Sequence, residues 1–438
     1  MNRTNQIFVF LGLVLFTATL SCKKETLPGK ETVASSQQDN AIALLPNDVI
    51  IEWSNIAFEA AGGAAEAHTL LASRNEAMMH IAIHDALNAI LPIYESYAYK
   101  PQQLVNFADP FAAAASAAHT VLKASWPDSA AMLDARLTAF LSTIPDGPTK
   151  KQGIELGVAS GNAILTLRAN DGAYQNPISA WPVSNTPGVY NIVPPYTFVF
   201  APFWKTMQLF SLKTHDQFRS PPPPDLNSST YTQNYNEVKR FGKLKSADRT
   251  ADQTAYANFW YELSDIGWNR IARTQATEQH TGLFATARIF ALLNMAIADG
   301  YTAGWDSKFY YNFWRPYTAI RAAGTDGNDQ TKPNMNWDPL LPTPPVPDYP
   351  STHSVLGNAA ATVLTHFFGE NTAFSTTSTT SSAPGAVRNF KSFKQAANEN
   401  ADSRVMAGIH FRFACDAGQK LGNKVGKWTV DNYLKPLF

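Results

Sequence analysis

Three short runs in the last third of the chain hold residue types that could do chemistry together: "KFYYNFWRP", "PDYPSTHS" and "SRVMAGIHFRFACDAG". In the first, Lys308 and Arg315 are seven residues apart. At 3.6 residues per turn this returns them to within about 20° of one helix face, roughly 10.5 Å apart along the axis, so both can lean toward one small anion. The neighbouring Phe309, Tyr310, Phe313 and Trp314 argue for burial, and a buried charge needs a partner. In the second run Ser351 and Thr352 stand at or just before the start of the helical "SVLGNAAATVLTHFF". Free backbone N–H groups and a hydroxyl make such a place an anion cradle, and His353 lies beside it. The third run sets Arg404 and His410 six residues apart in a small-residue, apolar segment. Taken singly, the first two runs read as two solvated charges and as a simple N-cap with an exposed histidine, and the third says nothing alone.

In this order, Lys-x6-Arg-Pro, Pro-Ser-x-His and Ser-Arg-x5-His resemble the signature of the type 2 phosphatidic acid phosphatase and vanadium-dependent haloperoxidase superfamily. The matching residues are Lys308, Arg315, Pro316, Pro350, Ser351, His353, Ser403, Arg404 and His410, and the motif core runs from 308 to 416. Upstream, "RNEAMMHIAIHDALNAI" and "TADQTAYANFW" are more loosely similar to the large bacterial haloperoxidase-like members. The resemblance implies an all-α fold, a large helical bundle or two fused four-helix bundles, with a pocket for vanadate or phosphate. It implies that Lys308, Arg315 and Arg404 neutralise the oxyanion while Ser351 and the N–H of Thr352 add donors. His353 would be the acid-base group. His410 would coordinate vanadium in a peroxidase and attack phosphorus in a phosphatase. Two positions depart from the pattern: Thr352 stands where it has Gly, and Ala414 where it has Asp, four residues after the ligand His. Asp416, in a continuous helix, is turned about 120° away from His410, so the orientation of His410 passes to another group.

The implied activity is that of a vanadate-dependent haloperoxidase using hydrogen peroxide to oxidise halide. In related peroxidases the residue seven before the acid-base His is often Phe or His; Val346 stands there, which points to iodide or bromide ahead of chloride. Two alternatives stay open: a metal-free phosphomonoesterase acting on a phosphate ester through a His410 nucleophile, and a non-catalytic oxyanion-binding lipoprotein. His80 and His84, four apart, would reach a divalent metal with Asp85, but in an Ala/Met/Ile-rich helix they read better as packed core. Glu262 and Asp265 read equally as carboxylate partners of His353 and as helix-end surface charges. No Gly-x-Ser-x-Gly nucleophile elbow and no glycine-rich phosphate loop occurs.

The elements that must position these residues are helical. Ala-rich segments with apolar residues at helical spacing cover 49–62, 67–91, 110–126, 130–143 and 150–170, and again 231–241, 250–263, 283–300, 307–323, 354–368 and 386–433. An aromatic, proline-rich stretch, 173–229, reads as loop draped over the bundle, and "FSTTSTTSSAPG" as an exposed loop. Lys plus Arg equals Asp plus Glu at 35 each, so there is no broad basic field for nucleic acid, and anion binding has to be local. Residues 1–21 read as an export signal, and "TLSCKK" resembles a bacterial lipobox that would leave Cys22 lipidated. The polar stretch 22–47 is then a flexible tether, 48–438 the folded domain, and the place of the protein the bacterial cell envelope, periplasmic or at the outer membrane. No second apolar run is expected to reach membrane-spanning length, and only Cys415 remains besides Cys22, which leaves no internal disulfide. Mass spectrometry of the mature protein is expected to find a diacylglycerol-type mass addition on an N-terminal Cys22; an unmodified chain beginning elsewhere would remove the anchor.

Overall fold

The computed structural model describes residues 44–438 apart from 66, 67, 104 and 106. The signal peptide, Cys22 and nearly all of the expected tether lie outside the described residues. The tether's last residues do not: Leu45 accepts a backbone hydrogen bond from Leu283, and the buried Asn47 amide donates to Ala276 O and Thr286 Oγ1.

Thirteen α-helices carry the described part of the fold, in two groups. The first holds α1 (Asp48–Ala60), α2 (Thr69–Ile90), α3 (Pro110–Ser125), α4 (Ala130–Leu141) and α5 (Pro148–Leu167). The second holds α6 (Ser229–Phe241), α7 (Ala251–Phe259), α8 (Ser264–Glu278), α9 (Leu283–Tyr311), α10 (Pro316–Ala322), α11 (Thr352–Phe368), α12 (Phe393–Met406) and α13 (Arg412–Asn432). α2, α3 and α5 pack on one another, as do α9, α11, α12 and α13, and the contact of α2 with α9 joins the groups. The fold is all-α: strand is limited, among the described residues, to two short antiparallel pairs, β1 (Ile178–Ser179) with β2 (Val199–Phe200) and β3 (Phe374–Thr376) with β4 (Arg388–Phe390).

Local sequence sets many of the boundaries. Asp109 caps α3 by accepting from Ala112 N–H, with Pro110 at the first helical position, and Thr250 and Gln253 form a reciprocal capping box on α7. α13 meets α11 through a column without side chains: a Cβ on Gly418, Gly422 or Gly426 would stand 2.4, 2.1 or 2.6 Å from the carbonyl oxygens of Ser351, Val355 and Ala359. Only glycine permits that approach. Gly153 and Gly157 of α5 are crowded in the same way by the backbone of α3.

Several sequence expectations change. The patterns at 283–300 and 307–311 belong to one helix, α9, which is long and apolar enough to cross a membrane; its apolar window is 94% buried within the protein, so it is the core helix. The run 386–433 is two helices, broken between Met406 and Arg412, and α8 was hidden by its polar composition. The Ser/Thr patch is no free loop either: it begins as β3, and Ser378 and Thr380 donate to carbonyls at the end of α7.

The His80, His84 and Asp85 trio is structural. Asp85 gathers the N–H groups of Tyr97, Ala98 and Tyr99, and His84 Nε2 meets Glu95 O at 3.0 Å. His80 has no hydrogen-bond partner among the described residues, lies 5.0 Å from the Phe290 ring, and is driven by burial to a pKa of about 3. It is neutral when folded, while the unfolded chain takes its proton near pH 6.5, so stability falls as pH drops below 6.5. The slope is about 1.4 kcal/mol per pH unit. His80→Leu is expected to flatten the acid limb by that amount in urea unfolding between about pH 7 and 4.5; an unchanged slope would refute the assignment.

Candidate active site

Lys308 sits in the last turn of α9, and its Nζ donates to Pro347 O (2.8 Å) and Asp348 O (2.9 Å). The helix does not carry on to Arg315, contrary to the shared-face reading. It stops at Asn312, whose left-handed φ of 47° turns the chain, and 313–315 is extended. Phe313 pairs there with Val189, and Trp314 N–H donates to Gly188 O. Arg315 becomes the N-cap of α10, with Pro316 at N1. Its guanidinium donates from Nε to Val346 O (2.8 Å) and from Nη1 to Ile409 O (2.7 Å), and Nη1 lies 3.1 Å from His410 Nε2. Nη1 also lies 3.5 Å from Nδ1, but an arginine only donates and the shorter contact is at Nε2, so Nε2 of His410 is the acceptor nitrogen.

His410 lies on the turn between α12 and α13, not in a helix. Gly408 makes that turn possible: its φ is +80°, and a Cβ there would stand 2.2 Å from Gly242 O. Arg404, in the last turn of α12, donates from Nη1 to Trp260 O (2.9 Å) and lies over the Tyr261 ring at 5.4 Å, while its buried Nε has no partner among the described residues. Ser351 is the N-cap of α11, as its place in the sequence predicts, held by Ser351 N–H to Ala414 O (2.8 Å). Thr352 opens the helix. Its extra bulk is turned onto Gly304 of α9, where even an added Cβ would stand 3.6 Å from the threonine methyl, so the backbone of the cradle is not displaced by it.

His353 Nε2 faces Glu262 O at 3.2 Å, which leaves Nδ1 with the lone pair. The carboxylates expected to serve it are engaged elsewhere: Glu262 with Arg270 and Thr379 N–H, Asp265 with Thr69. Of the site residues His353 alone keeps partial exposure, so the accessible side of the site is the His353 side.

The residue that sequence reasoning missed is Asp348. Fully buried, its Oδ1 lies 2.9 Å from His410 Nδ1 and 3.7 Å from Arg315 Nη1, though neither carboxylate oxygen attains full hydrogen-bond geometry. The signal was present, an acid inside "PVPDYPS" directly before the cradle, but nothing in its spacing ties it to a histidine 62 positions later.

The electrostatics follow from burial. Both histidines are held well below the usual range, first by desolvation and then by the neighbouring cations: Arg404 foremost for His353, Arg315 and Lys308 for His410. Burial lowers Lys308 far below its ordinary value, and Arg404 to about 10. Asp348 is pushed up to about 7 by burial, opposed by Arg315 and Lys308. Burial also raises the Cys415 thiol to about 12, which keeps it unreactive beside this field. Three cations at 1% exposure thus share a single carboxylate. Uncompensated buried charge costs several kcal/mol per group. An oxyanion of two or three charges would offset this surplus, and the orphaned Arg404 Nε and the uncapped N-terminus of α11 are donors that could receive it.

Residues 288–437 match the family described as the VCPO second helical-bundle domain. The vanadium chloroperoxidase of Curvularia inaequalis is 26% identical over 294 residues, 52% of this chain and 48% of that protein, so the chain spans about half the length of this curated relative. Among solved structures, that described as the first bacterial vanadium-dependent iodoperoxidase superposes with a TM-score of 0.77 at 25% identity, covering 90% of this chain and 99% of the other. A holo-type bacterial vanadium-dependent chloroperoxidase shares the fold, with a TM-score of 0.65 at 17% identity over 88% of this chain and 97% of that one.

Anion binding should therefore stabilise the protein, by about 3 kcal/mol at a ligand concentration about 100 times Kd. Arg404→Met is expected to match or exceed the stability of the parent without anion and to lose most of the gain from phosphate. Thermal unfolding with and without phosphate measures both, and a parent protein indifferent to phosphate would defeat the idea of a charge surplus awaiting an anion.

Proposed function

We propose that this chain, which belongs to the vanadium-dependent haloperoxidase and type 2 phosphatidic acid phosphatase superfamily, is a vanadate-dependent haloperoxidase that uses hydrogen peroxide to oxidise iodide or bromide. The observation that carries the reading is the set of three buried cations around a histidine whose Nε2 offers a lone pair. Lys308, Arg315 and Arg404 would hold the oxygens of vanadate, with Ser351 and the Thr352 N–H as neutral donors, and His410 Nε2 would meet the metal. Bound vanadate supplies a Lewis acid that activates hydrogen peroxide toward halide without a change of oxidation state.

The protein's own share is charge, orientation and one proton. Arginine stays charged at any working pH, and its fixed fork suits a permanent anion. His353 is neutral, stands on the accessible side, and holds its Nε2–H toward Glu262 O, so Nδ1 takes the proton that hydrogen peroxide gives up and returns it later. Val346 is buried, and its carbonyl is spent on Arg315, so position 346 supplies neither ring nor imidazole for halide. That lack, and the likeness over most of the chain to an iodoperoxidase, favour iodide, the halide most easily oxidised.

A His410 with Nε2 unprotonated would serve equally as the nucleophile of a phosphomonoesterase, so the assay has to separate the two reactions. A non-catalytic oxyanion-binding protein would have no use for a second, accessible histidine. We place the protein in the cell envelope, held by a lipid on Cys22.

Protein lacking residues 1–22 is stripped of anions and assayed with and without orthovanadate. Peroxide-dependent iodide or bromide oxidation is expected only with vanadate; hydrolysis of an aryl phosphate that vanadate inhibits would replace this reading with the phosphatase. His410→Ala should abolish activity, and His353→Ala should reduce turnover about 10²–10⁴-fold while leaving much of the anion affinity.

A further inference from the structure

His410 has two ring nitrogens and two tasks. Nε2 has to present a lone pair toward the anion, which requires that the proton stay on Nδ1. In the pattern that this chain resembles, the carboxylate stands four residues after the histidine, and that position is Ala414, fully buried and unable to accept a proton-bearing nitrogen. Asp416 does not replace it; it lines an open groove with Asn358 and Gln419, on the far side of α13's first turn.

We infer that Asp348 is the positioning residue for His410: it arrives from the loop before α11 to hold the imidazole by Nδ1–H, standing in for the carboxylate missing at position 414. Its Oδ1 is 2.9 Å from Nδ1, within reach of a hydrogen bond that a small ring rotation would align, and in its ionised form the carboxylate is met favourably there only by an N–H. Its place is fixed from three sides. Its backbone N–H donates to Phe313 O, its carbonyl receives Lys308 Nζ at 2.9 Å, and its carboxylate is 3.7 Å from Arg315. Lys308 therefore acts twice, as a cation of the anion site and as the clamp that sets the height of Asp348. At the other ring nitrogen Arg315 Nη1 donates toward Nε2, so one guanidinium and one carboxylate between them select a single tautomer and a single ring plane.

The role rests on the reading of His410 as the group that meets the central atom, and the test separates the two. ¹⁵N-edited NMR of the imidazoles in the protein without added anion reports the tautomer; calorimetric titration with orthovanadate reports affinity. Proton on Nδ1 is expected in the parent. Asp348→Ala should release the tautomer and weaken orthovanadate binding about 10–100-fold, the usual effect of losing a group that orients a metal-ligating histidine. Asp348→Asn, of the same volume and still able to accept through its amide oxygen, should keep the Nδ1–H form and recover much of the affinity, which a merely structural role would not distinguish. Asp348→Ala combined with Ala414→Asp returns a carboxylate to the position four residues on, and should regain affinity over Asp348→Ala. The inference is overturned if the parent carries the proton on Nε2, or if a folded Asp348→Ala protein, or Asp348→Leu where the alanine variant does not fold, keeps both the affinity and the tautomer of the parent. A parent with Nδ1–H that binds no orthovanadate would instead uphold the pairing and remove the function proposed for it.

Discussion

Lys308, Arg315 and Arg404 are buried together with one carboxylate among them, and this surplus of positive charge governs the second helical group. A buried cation must be hydrogen-bonded wherever it lacks a counter-ion. Here the hydrogen bonds come from main-chain carbonyls: Pro347, Asp348, Val346, Ile409 and Trp260. Four of these five acceptors lie on two irregular segments, the one before α11 and the one between α12 and α13. The cations thus hold in place the very loops that lead to the two histidines, and the loops in turn keep the cations from water. Cations and loops thus support one another, and much of the site is built from backbone that belongs to no helix.

Much of this was legible in the sequence, and the part that was not has a common physical cause. Alanine-rich runs with apolar spacing give the helices because burial alone decides them, so α1 to α6 and α11 appear close to their expected positions. Helical periodicity is blind to a single residue with positive φ. Asn312 and Gly408 interrupt patterns that read as continuous, and both breaks fall inside the chemical motifs. The Lys308 to Arg315 spacing therefore pointed to one site through a geometry that the chain does not adopt: a turn, and not a shared helical face, brings the two side chains together. The threonine at 352 looked too large in a place that resembles a glycine site, yet the missing space is found on another helix, at Gly304, where no local reading would look.

Asp348 illustrates the limit most clearly. A carboxylate that works on a histidine 62 positions away leaves no spacing to detect, and its neighbours in sequence are prolines that suggest only a loop. The reverse error threatens at His80, His84 and Asp85, whose tight spacing is suggestive of metal binding and whose carboxylate in fact serves to tie down three consecutive backbone amides. Close spacing reports what shares a helix, whereas chemistry depends on what shares a cavity.

The glycine column of α13 has a consequence for how the protein can diverge. Gly418 lies against the carbonyl of Ser351, so the backbone at the start of α11 is set by the absence of a side chain on another helix. A methyl group there would push on main chain, and insertion of atoms into a filled interior costs about 1–3 kcal/mol even where the structure yields. Selection is thus barred from this seam between α11 and α13, and variation in a lineage descended from this chain would have to accumulate away from it, like wear on a key cut along a single edge.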